Sequence, residues 1–169
     1  FRSRTNHDLI PDSRGKVVLF PDTTTNYNTP NLGISAVHLL EKLGYEVIVP
    51  DFKCCGRPYL SNGMMQKAKD NANFNAALIQ DYVESGAKLV GIEPSCILGF
   101  KEDFIDLLDD PYSGKMISKI TMLIEEFVSY AFEQSTEIEF KKDIPFENVA
   151  LFGHCQQKAM IGTSPAINI

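Results

Sequence analysis

Residues 45–58 read YEVIVPDFKCCGRP, an apolar run that stops at Pro-Asp and leads into two adjacent cysteines. A short apolar run bounded by turn residues is typical of a strand buried on both faces of a parallel sheet. Two further runs have the same form, KVVLFPD (16–22) before it and KLVGIEP (88–94) after it. The three runs therefore predict three strands of one parallel sheet.

Between these strands the apolar residues change to a helical spacing. Thr29 and Pro30 supply an N-cap and a first-turn proline for one helix, which Gly44 is placed to end. Ser61 is placed to cap a longer helix that closes at Gly86. Each predicted strand is thus separated from the next by a predicted helix.

The rest of the chain repeats this alternation. One helix is predicted from Ser95 through Leu108, and the apolar residues from Ile117 to Ala131 keep the register of another. NVALFGH (148–154) is predicted as a fourth strand. Together these elements indicate an α/β fold, a three-layer sandwich with a parallel, roughly four-stranded sheet flanked by helices, Rossmann- or flavodoxin-like.

The composition narrows the class of protein. A chain of 169 residues suits one domain with its own hydrophobic core. The 22 acidic and 16 basic residues give a net charge of −6, which argues against a nucleic-acid partner. No apolar run approaches the ~20 residues of a membrane span, and four cysteines in so long a chain are not a secreted disulfide framework. We therefore expect a cytoplasmic protein, at most peripheral at the inner face of the membrane, with no transmembrane segment.

The four cysteines all follow predicted strands. Cys54 and Cys55 come after the second strand, Cys96 after the third and Cys155 after the fourth. Because parallel strands end at one edge of their sheet, we expect all four thiols at that edge. Adjacent cysteines rarely meet the geometry of a disulfide. The pair is better interpreted as two soft metal ligands or a redox-active thiol pair.

The neighbours of the pair favour a reactive role. Arg57 adds positive potential, and Gly56 allows the backbone of a tight loop to approach a bound group closely. Cys96 falls in the first turn of its predicted helix, where a thiol pKa is lowered.

Three chemistries remain open from these residues: an iron–sulfur cluster, a structural zinc site and a thiol–disulfide site that uses Cys54, Cys55 or Cys96. The zinc site would use Cys54, Cys96, Cys155 and His154. The chain has no CxxC motif, which argues against both alternatives to the cluster.

Three short motifs carry a resemblance to a known family. KCCGRP (53–58), EPSC (93–96) and GHCQQKA (153–159) resemble the cysteine-rich CCG domain. That domain occurs in heterodisulfide reductase B subunits, in iron–sulfur subunits of glycerol-3-phosphate and glycolate oxidases, and in lactate-utilisation proteins. The stretch 17–58 is more similar still to the C-terminal part of large FAD-linked oxidases related to D-lactate dehydrogenase. The resemblance covers about residues 16–162.

The resemblance implies a ligand set. It implies a [4Fe–4S]-type cluster in the intact protein, with Cys54, Cys55 and Cys96 as ligands from one repeat and Cys155 as the first cysteine of a second repeat. Gly56 and Arg57 are then cofactor-binding residues beside the sulfurs.

Two residues depart from the family pattern. Thr23 stands where many relatives have a cysteine after the first strand, and Glu93 stands where many have the first cysteine of CPSC. The five-cysteine set of non-cubane clusters is therefore not present in this repeat.

These inferences define an expected organisation and function. Residues 1–15 are interpreted as a linker at a cut end, 16–147 as a first CCG repeat and 148–169 as the start of a truncated second repeat. The expected function is electron transfer from a flavin domain of the same polypeptide, which oxidises a 2-hydroxy acid such as D-lactate, to a quinone or another carrier. FAD is expected in that separate domain, because no GxGxxG fingerprint occurs here. The piece alone is expected to lack its cluster and not to catalyse substrate oxidation.

Overall fold

A four-stranded parallel sheet lies at the centre of the computed structural model, which describes residues 13–134 and 148–169. In the described residues its strands are β1 (Lys16–Phe20), β2 (Glu46–Ile48), β3 (Lys88–Gly91) and β4 (Thr121–Leu123). Their order across the sheet is β2-β1-β3-β4, and every neighbouring pair is parallel. The predicted α/β sandwich is confirmed. Most of the predicted linker over 1–15 lies outside the described residues.

Helices connect the strands and cover the sheet. A π-helical turn (Thr24–Asn28) follows β1. The α-helices of the described residues are α1 (Pro30–Lys42), α2 (Arg57–Ser61), α3 (Met65–Glu84), α4 (Pro94–Lys101), α5 (Asp103–Leu107), α6 (Pro111–Ile120), α7 (Ile124–Glu133), α8 (Cys155–Met160) and α9 (Ser164–Asn168). Within residues 13–134 and 148–169, no helix has the length and apolar character needed to cross a membrane.

The central strand β1 is buried on both faces because its side chains alternate between two cores. Val18 and Phe20 belong to a core under α3, α4 and α6, whereas Val17 and Leu19 belong to a core under α1 and α7. All four side chains are at most 1% exposed. Burying one such side chain contributes about 1.5–3 kcal/mol. Each of the positions 17–20 faces one of the two cores, which explains why this stretch is apolar throughout.

The prediction of one helix from Ile117 to Ala131 is wrong. The chain forms α6, then the three-residue strand β4 paired with β3, then α7. Ile117 packs in the core on one face of the sheet and Ala131 in the core on the other. A continuous helix can pack on only one face of the sheet. The chain passes from one face to the other in β4, which separates α6 from α7.

The predicted fourth strand over 148–154 is also wrong. This segment has no strand in the described structure, and Val149, Leu151 and Phe152 are 78%, 51% and 90% exposed. The place beside β3 is taken by β4, and the apolar side chains of 148–154 are not buried against the sheet, as those of a core strand would be. The number of strands is as expected, but the fourth comes from a different part of the chain.

Two helix boundaries differ from the prediction. Ser61 does not cap the long helix. It ends the separate helix α2, and its hydroxyl donates to the carbonyl of Arg57 at 3.1 Å. The helix predicted from Ser95 to Leu108 is divided at Glu102 into α4 and α5.

Candidate functional site

The candidate site lies at the carboxyl ends of β1, β2 and β3. The chain order reverses between β1 and β3, because β2 lies on one side of β1 and the later strands lie on the other. Such a reversal opens a crevice beyond the strand ends, where ligands of open α/β sheets bind. Thr23 follows β1, the cysteine loop (residues 49–56) follows β2, and Cys96 follows β3.

Three thiols and one hydroxyl form a hydrogen-bonded chain at this edge. The hydroxyl of Thr23 donates to the sulfur of Cys54, which in turn donates to Cys55. Cys55 donates to Cys96, which lies in the first turn of α4. The structure therefore brings together three of the four cysteines that the sequence places at this edge.

The mutual hydrogen bonds hold two of these thiols in their neutral form. The pKa of Cys54 is raised above its ordinary value by the hydrogen bond that it donates to Cys55 and by burial. The hydrogen bond from Cys54 lowers the pKa of Cys55, but the bond to Cys96 and burial outweigh it and raise the pKa to about 12. Because a metal binds the thiolate, loading this site must release protons.

Backbone N–H groups at the start of α2 also point at the sulfurs. The N–H of Gly56 donates to Cys54, and the N–H of Arg57 donates to Cys55. Gly56 is the N-cap of α2 with φ of 92°, a left-handed conformation that favours glycine. This turn directs two amide donors at sulfur, which is the kind of hydrogen bond that stabilises charge on a metal-bound thiolate.

The side chain of Arg57 retains an unused donor. Its Nη2 lies 2.9 Å from Oδ2 of Asp103, in an ion pair between α2 and α5. Burial raises the pKa of Asp103, and the Arg57 charge opposes that shift. Nε of Arg57 is buried and has no hydrogen-bond partner in the described part of the chain. A buried N–H without a partner can donate to an acceptor that binds within its reach.

Cys155 has different surroundings from the other three cysteines. It is exposed and begins α8, which packs against α4. The preceding residue, His154, accepts a hydrogen bond at Nδ1 from the N–H of Gln156, and its Nε2 lies 3.9 Å from Oε1 of Glu93. The helix of Cys155 is thus held beside the helix of Cys96.

Gln157 anchors α8, a role that the sequence analysis missed. It is 4% exposed, donates to Oε1 of Glu125 on α7 and accepts from the N–H of His154. The spacing of His154 and Gln157, N-cap and third helical residue, is that of a capping box. This spacing is visible in the sequence and could have identified Gln157.

The two residues that depart from the family pattern have defined contacts. Thr23 contacts Cys54, as described above. Glu93 is the N-cap of α4, and its Oε1 accepts from the N–H and the hydroxyl of Ser95 at 3.3 Å and 2.7 Å. Glu93 therefore has a structural role at the start of the helix that carries Cys96.

The arrangement does not favour a single-ion site. Over residues 13–134 and 148–169, no three His, Cys, Asp or Glu side chains are placed so that they could hold one metal ion. A structural zinc site needs four ligands converging on one centre, whereas an iron–sulfur cluster spreads its thiolates over several iron atoms. The raised pKa values of Cys54 and Cys55 likewise argue against either of these two thiols as a reactive nucleophile, which needs a lowered pKa.

Comparison with known proteins identifies similar chains. The family model of the CCG cysteine-rich domain matches residues 18–101. No solved structure gives a significant match.

Three curated relatives are similar to this chain over different shares of their length. D-2-hydroxyglutarate dehydrogenase of Pantoea ananatis (strain AJ13355) is 23% identical over 150 residues, which are 89% of this chain and 14% of the relative. One subunit of the anaerobic glycerol-3-phosphate dehydrogenase of Escherichia coli (strain K12) is 28% identical over 103 residues, 60% of this chain and 26% of the relative. Lactate utilization protein A 1 of Bacillus cereus (strain AH820) is 26% identical over 155 residues, 91% and 63% of the two chains. The match thus covers less than two thirds of each of these relatives.

Proposed function

Since this chain belongs to the CCG cysteine-rich domain family through residues 18–101, we propose that it is an iron–sulfur electron-transfer module of a larger oxidoreductase. The observation that carries the proposal is the hydrogen-bonded chain of Cys54, Cys55 and Cys96 at the switch point of the sheet. Three soft sulfur ligands from two separate elements meet there, and sulfur is the ligand type that iron–sulfur clusters use.

The residues present fit such a cluster. Cys54, Cys55 and Cys96 would hold it as thiolates, with Cys155 on α8 as the proposed fourth ligand. When bound, the cluster supplies a one-electron carrier. The donor set around the thiols suits a charged acceptor, because the N–H groups of Gly56 and Arg57 already point at sulfur.

Arg57 has a further part in the proposal. Its Nε, which has no partner among residues 13–134 and 148–169, can donate one more hydrogen bond, and its positive charge favours the more negative, reduced state of the site. Hydrogen bonds and charges near the sulfurs set the reduction potential of a cluster. Gly56 and Arg57 are therefore proposed to tune the potential rather than to bind iron.

The proposed electron donor is a flavin domain of the same polypeptide that oxidises a 2-hydroxy acid. Two of the relatives are named for 2-hydroxy acids, hydroxyglutarate and lactate, which supports this substrate class. FAD in the parent protein, a [4Fe–4S] type of cluster and a quinone or another carrier as acceptor complete the proposal. In the proposed division of the chain, 16–147 is a first CCG repeat and 148–169 begins a second.

Anaerobic determination of iron and sulfide in the parent protein, with a visible and an EPR spectrum, tests this function. The expected result is iron and sulfide in equal amounts, with broad sulfur-to-iron absorption that bleaches when the 2-hydroxy acid is added. Stoichiometric zinc without visible absorption would overturn the proposal, as would metal-free protein in which a thiol titrates at a lowered pKa.

A further inference from the structure

We infer that Asn71 and Asn75, on one face of α3, are positioning residues that hold the cysteine loop for metal binding. The inference rests on the proposed function for its consequence, but the contacts themselves are visible in the structure. We call these two residues the asparagine clamp.

Asn75 binds the backbone of the loop through both ends of its amide. Its Oδ1 accepts from the N–H of Lys53 at 2.9 Å, and its Nδ2 donates to the carbonyl of Lys53 at 3.1 Å. The side chain is 0% exposed. A buried amide is tolerated only when its polar atoms are paired. Here both the oxygen and the nitrogen pair with one residue, as a neighbouring strand would pair with it.

Asn71 extends the same contact by one residue. Its Nδ2 donates to the carbonyl of Cys54 at 3.1 Å. Asn71 and Asn75 are four residues apart, so they project from the same face of α3. Together they make three hydrogen bonds to two consecutive residues of the loop, directly before the Cys55 thiol.

Further contacts dock the same loop on α3. Nζ of Lys53 lies 4.2 Å from the centre of the Phe74 ring. A Cβ on Gly56 would lie 3.5 Å from the Cα of Ala68, so the backbone of the loop runs close to the helix. Helix α3 is therefore the surface against which the cysteine loop is positioned.

The clamp matters for metal binding because the ligands come from separate elements. Cys54 and Cys55 lie on the loop and Cys96 lies on α4, so the backbone position of the loop decides the separation of their sulfurs. Ligands held in place before binding take up metal with less loss of conformational freedom.

Asn73 provides a matched control on the same helix. Its Oδ1 accepts from the N–H of Asp109, before α6 and away from the cysteine loop. Asn73→Leu therefore removes an asparagine hydrogen bond from α3 without touching the loop.

The first experiment needs no metal. Amide hydrogen exchange is measured on the metal-free 169-residue chain and on its Asn75→Leu and Asn73→Leu variants. The N–H of Lys53 should exchange at least about tenfold faster in Asn75→Leu and at the original rate in Asn73→Leu. An unchanged rate at Lys53 in Asn75→Leu would overturn the clamp.

The second experiment adds ferrous iron and sulfide anaerobically to the intact parent protein and to its Asn75→Leu and Asn73→Leu variants. Asn75→Leu should take up less than about half of the iron of the unmodified parent protein, and its remaining cluster should show a shifted EPR signal. Asn73→Leu should match the unmodified parent protein in both. Full loading of Asn75→Leu with an unshifted EPR signal would overturn the positioning role.

Two further outcomes separate the clamp from the proposed function and from a folding defect of the variant. If even the unmodified parent protein takes up no iron, the proposed function fails, while the exchange experiment still decides whether the clamp exists. If Asn75→Leu does not unfold cooperatively, two other variants replace it under the same criteria. Asn75→Ala, which also removes the acceptor of the Lys53 N–H, replaces it in the exchange experiment. Asn71→Leu, which removes the hydrogen bond from a half-buried side chain to the carbonyl of Cys54, replaces it in the iron experiment.

Discussion

The hydroxyl of Thr23, which follows β1, donates a hydrogen bond to the sulfur of Cys54, which follows β2. A side chain from the loop after the neighbouring strand thus contacts the first thiol of the pair. The family resemblance implies a cysteine at position 23 in many relatives. In this chain the position carries a hydrogen-bond donor to sulfur instead of a sulfur ligand.

Thr23→Val should lower the reduction potential of the loaded site. Valine keeps the shape of threonine but removes the donor that stabilises negative charge on the Cys54 sulfur. A hydrogen bond worth about 1 kcal/mol corresponds to a shift of roughly 20–60 mV for one electron. A potentiometric titration followed by EPR measures it. Thr23→Ser keeps the donor and should leave the potential unchanged, and an equal shift in both variants would contradict this role.

Cys54→Ser or Cys96→Ser in the intact parent protein should separate the two halves of the electron path. Reduction of the flavin by substrate should remain within about twofold of normal, because the thiols lie outside the proposed flavin domain. Electron transfer to the acceptor should fall by at least about a hundredfold, since a hydroxyl is a poor replacement for a soft thiolate ligand. Stopped-flow spectra and acceptor assays measure the two rates. Normal acceptor rates in either variant would remove that cysteine from the ligand set.

Glu125→Gln should stabilise the protein at neutral pH. Burial raises the pKa of Glu125, so the native state holds a proton there more tightly than the unfolded state does. The buried charge therefore lowers the free energy of unfolding above the raised pKa, and this penalty disappears as the pH falls below the unfolded pKa. Glutamine keeps an acceptor for Gln157 and should add about 0.5 kcal/mol at pH 7.

Urea unfolding between neutral and acidic pH checks this prediction. The gain from Glu125→Gln should shrink as the pH is lowered. Glu133→Gln, at the exposed end of the same helix, is the control. A gain that is constant with pH would show that the charge of Glu125 is not its cause.

Gly114→Ala should destabilise the packing of α6 on α5. A Cβ at this position would lie 2.8 Å from the Cα of Ile105 and 3.0 Å from the carbonyl oxygen of Phe104, both backbone atoms. The helices must separate to admit it, at a cost of about 1–3 kcal/mol.

Gly99→Ala is the matched control, measured in the same thermal melts. Its Cβ would meet only the carboxylate of Asp103, at 3.2 Å, and alanine improves helix propensity. Equal losses in both variants would show that the close approach at Gly114 is not what matters.

The central part of the fold was predictable because its signals are local. β1, β2 and β3 are short apolar runs that end at proline, glycine or acidic residues, and the predictions located all three. The meeting of the cysteine pair with Cys96 followed from one rule, that parallel strands end at a common edge.

The fourth strand was not predictable in this way. Thr121–Leu123 is only three residues long and lies between two helices whose apolar residues share one helical register. Periodicity cannot separate such a strand from the helices around it. Its identity depends on backbone pairing with β3, some thirty residues earlier in the chain.

The sequence by itself determined the class of fold and the edge at which its thiols meet, because burial on two faces and the direction of parallel strands depend on residues close in the chain. Only the tertiary structure decided that Thr23 contacts Cys54, that Asn75 holds the backbone of Lys53, and that Gln157 holds the helix of Cys155 against α7. These contacts join residues separated by about twenty to thirty positions. Their geometry depends on how far each helix is shifted and rotated on the sheet, which only the packing of the whole domain sets.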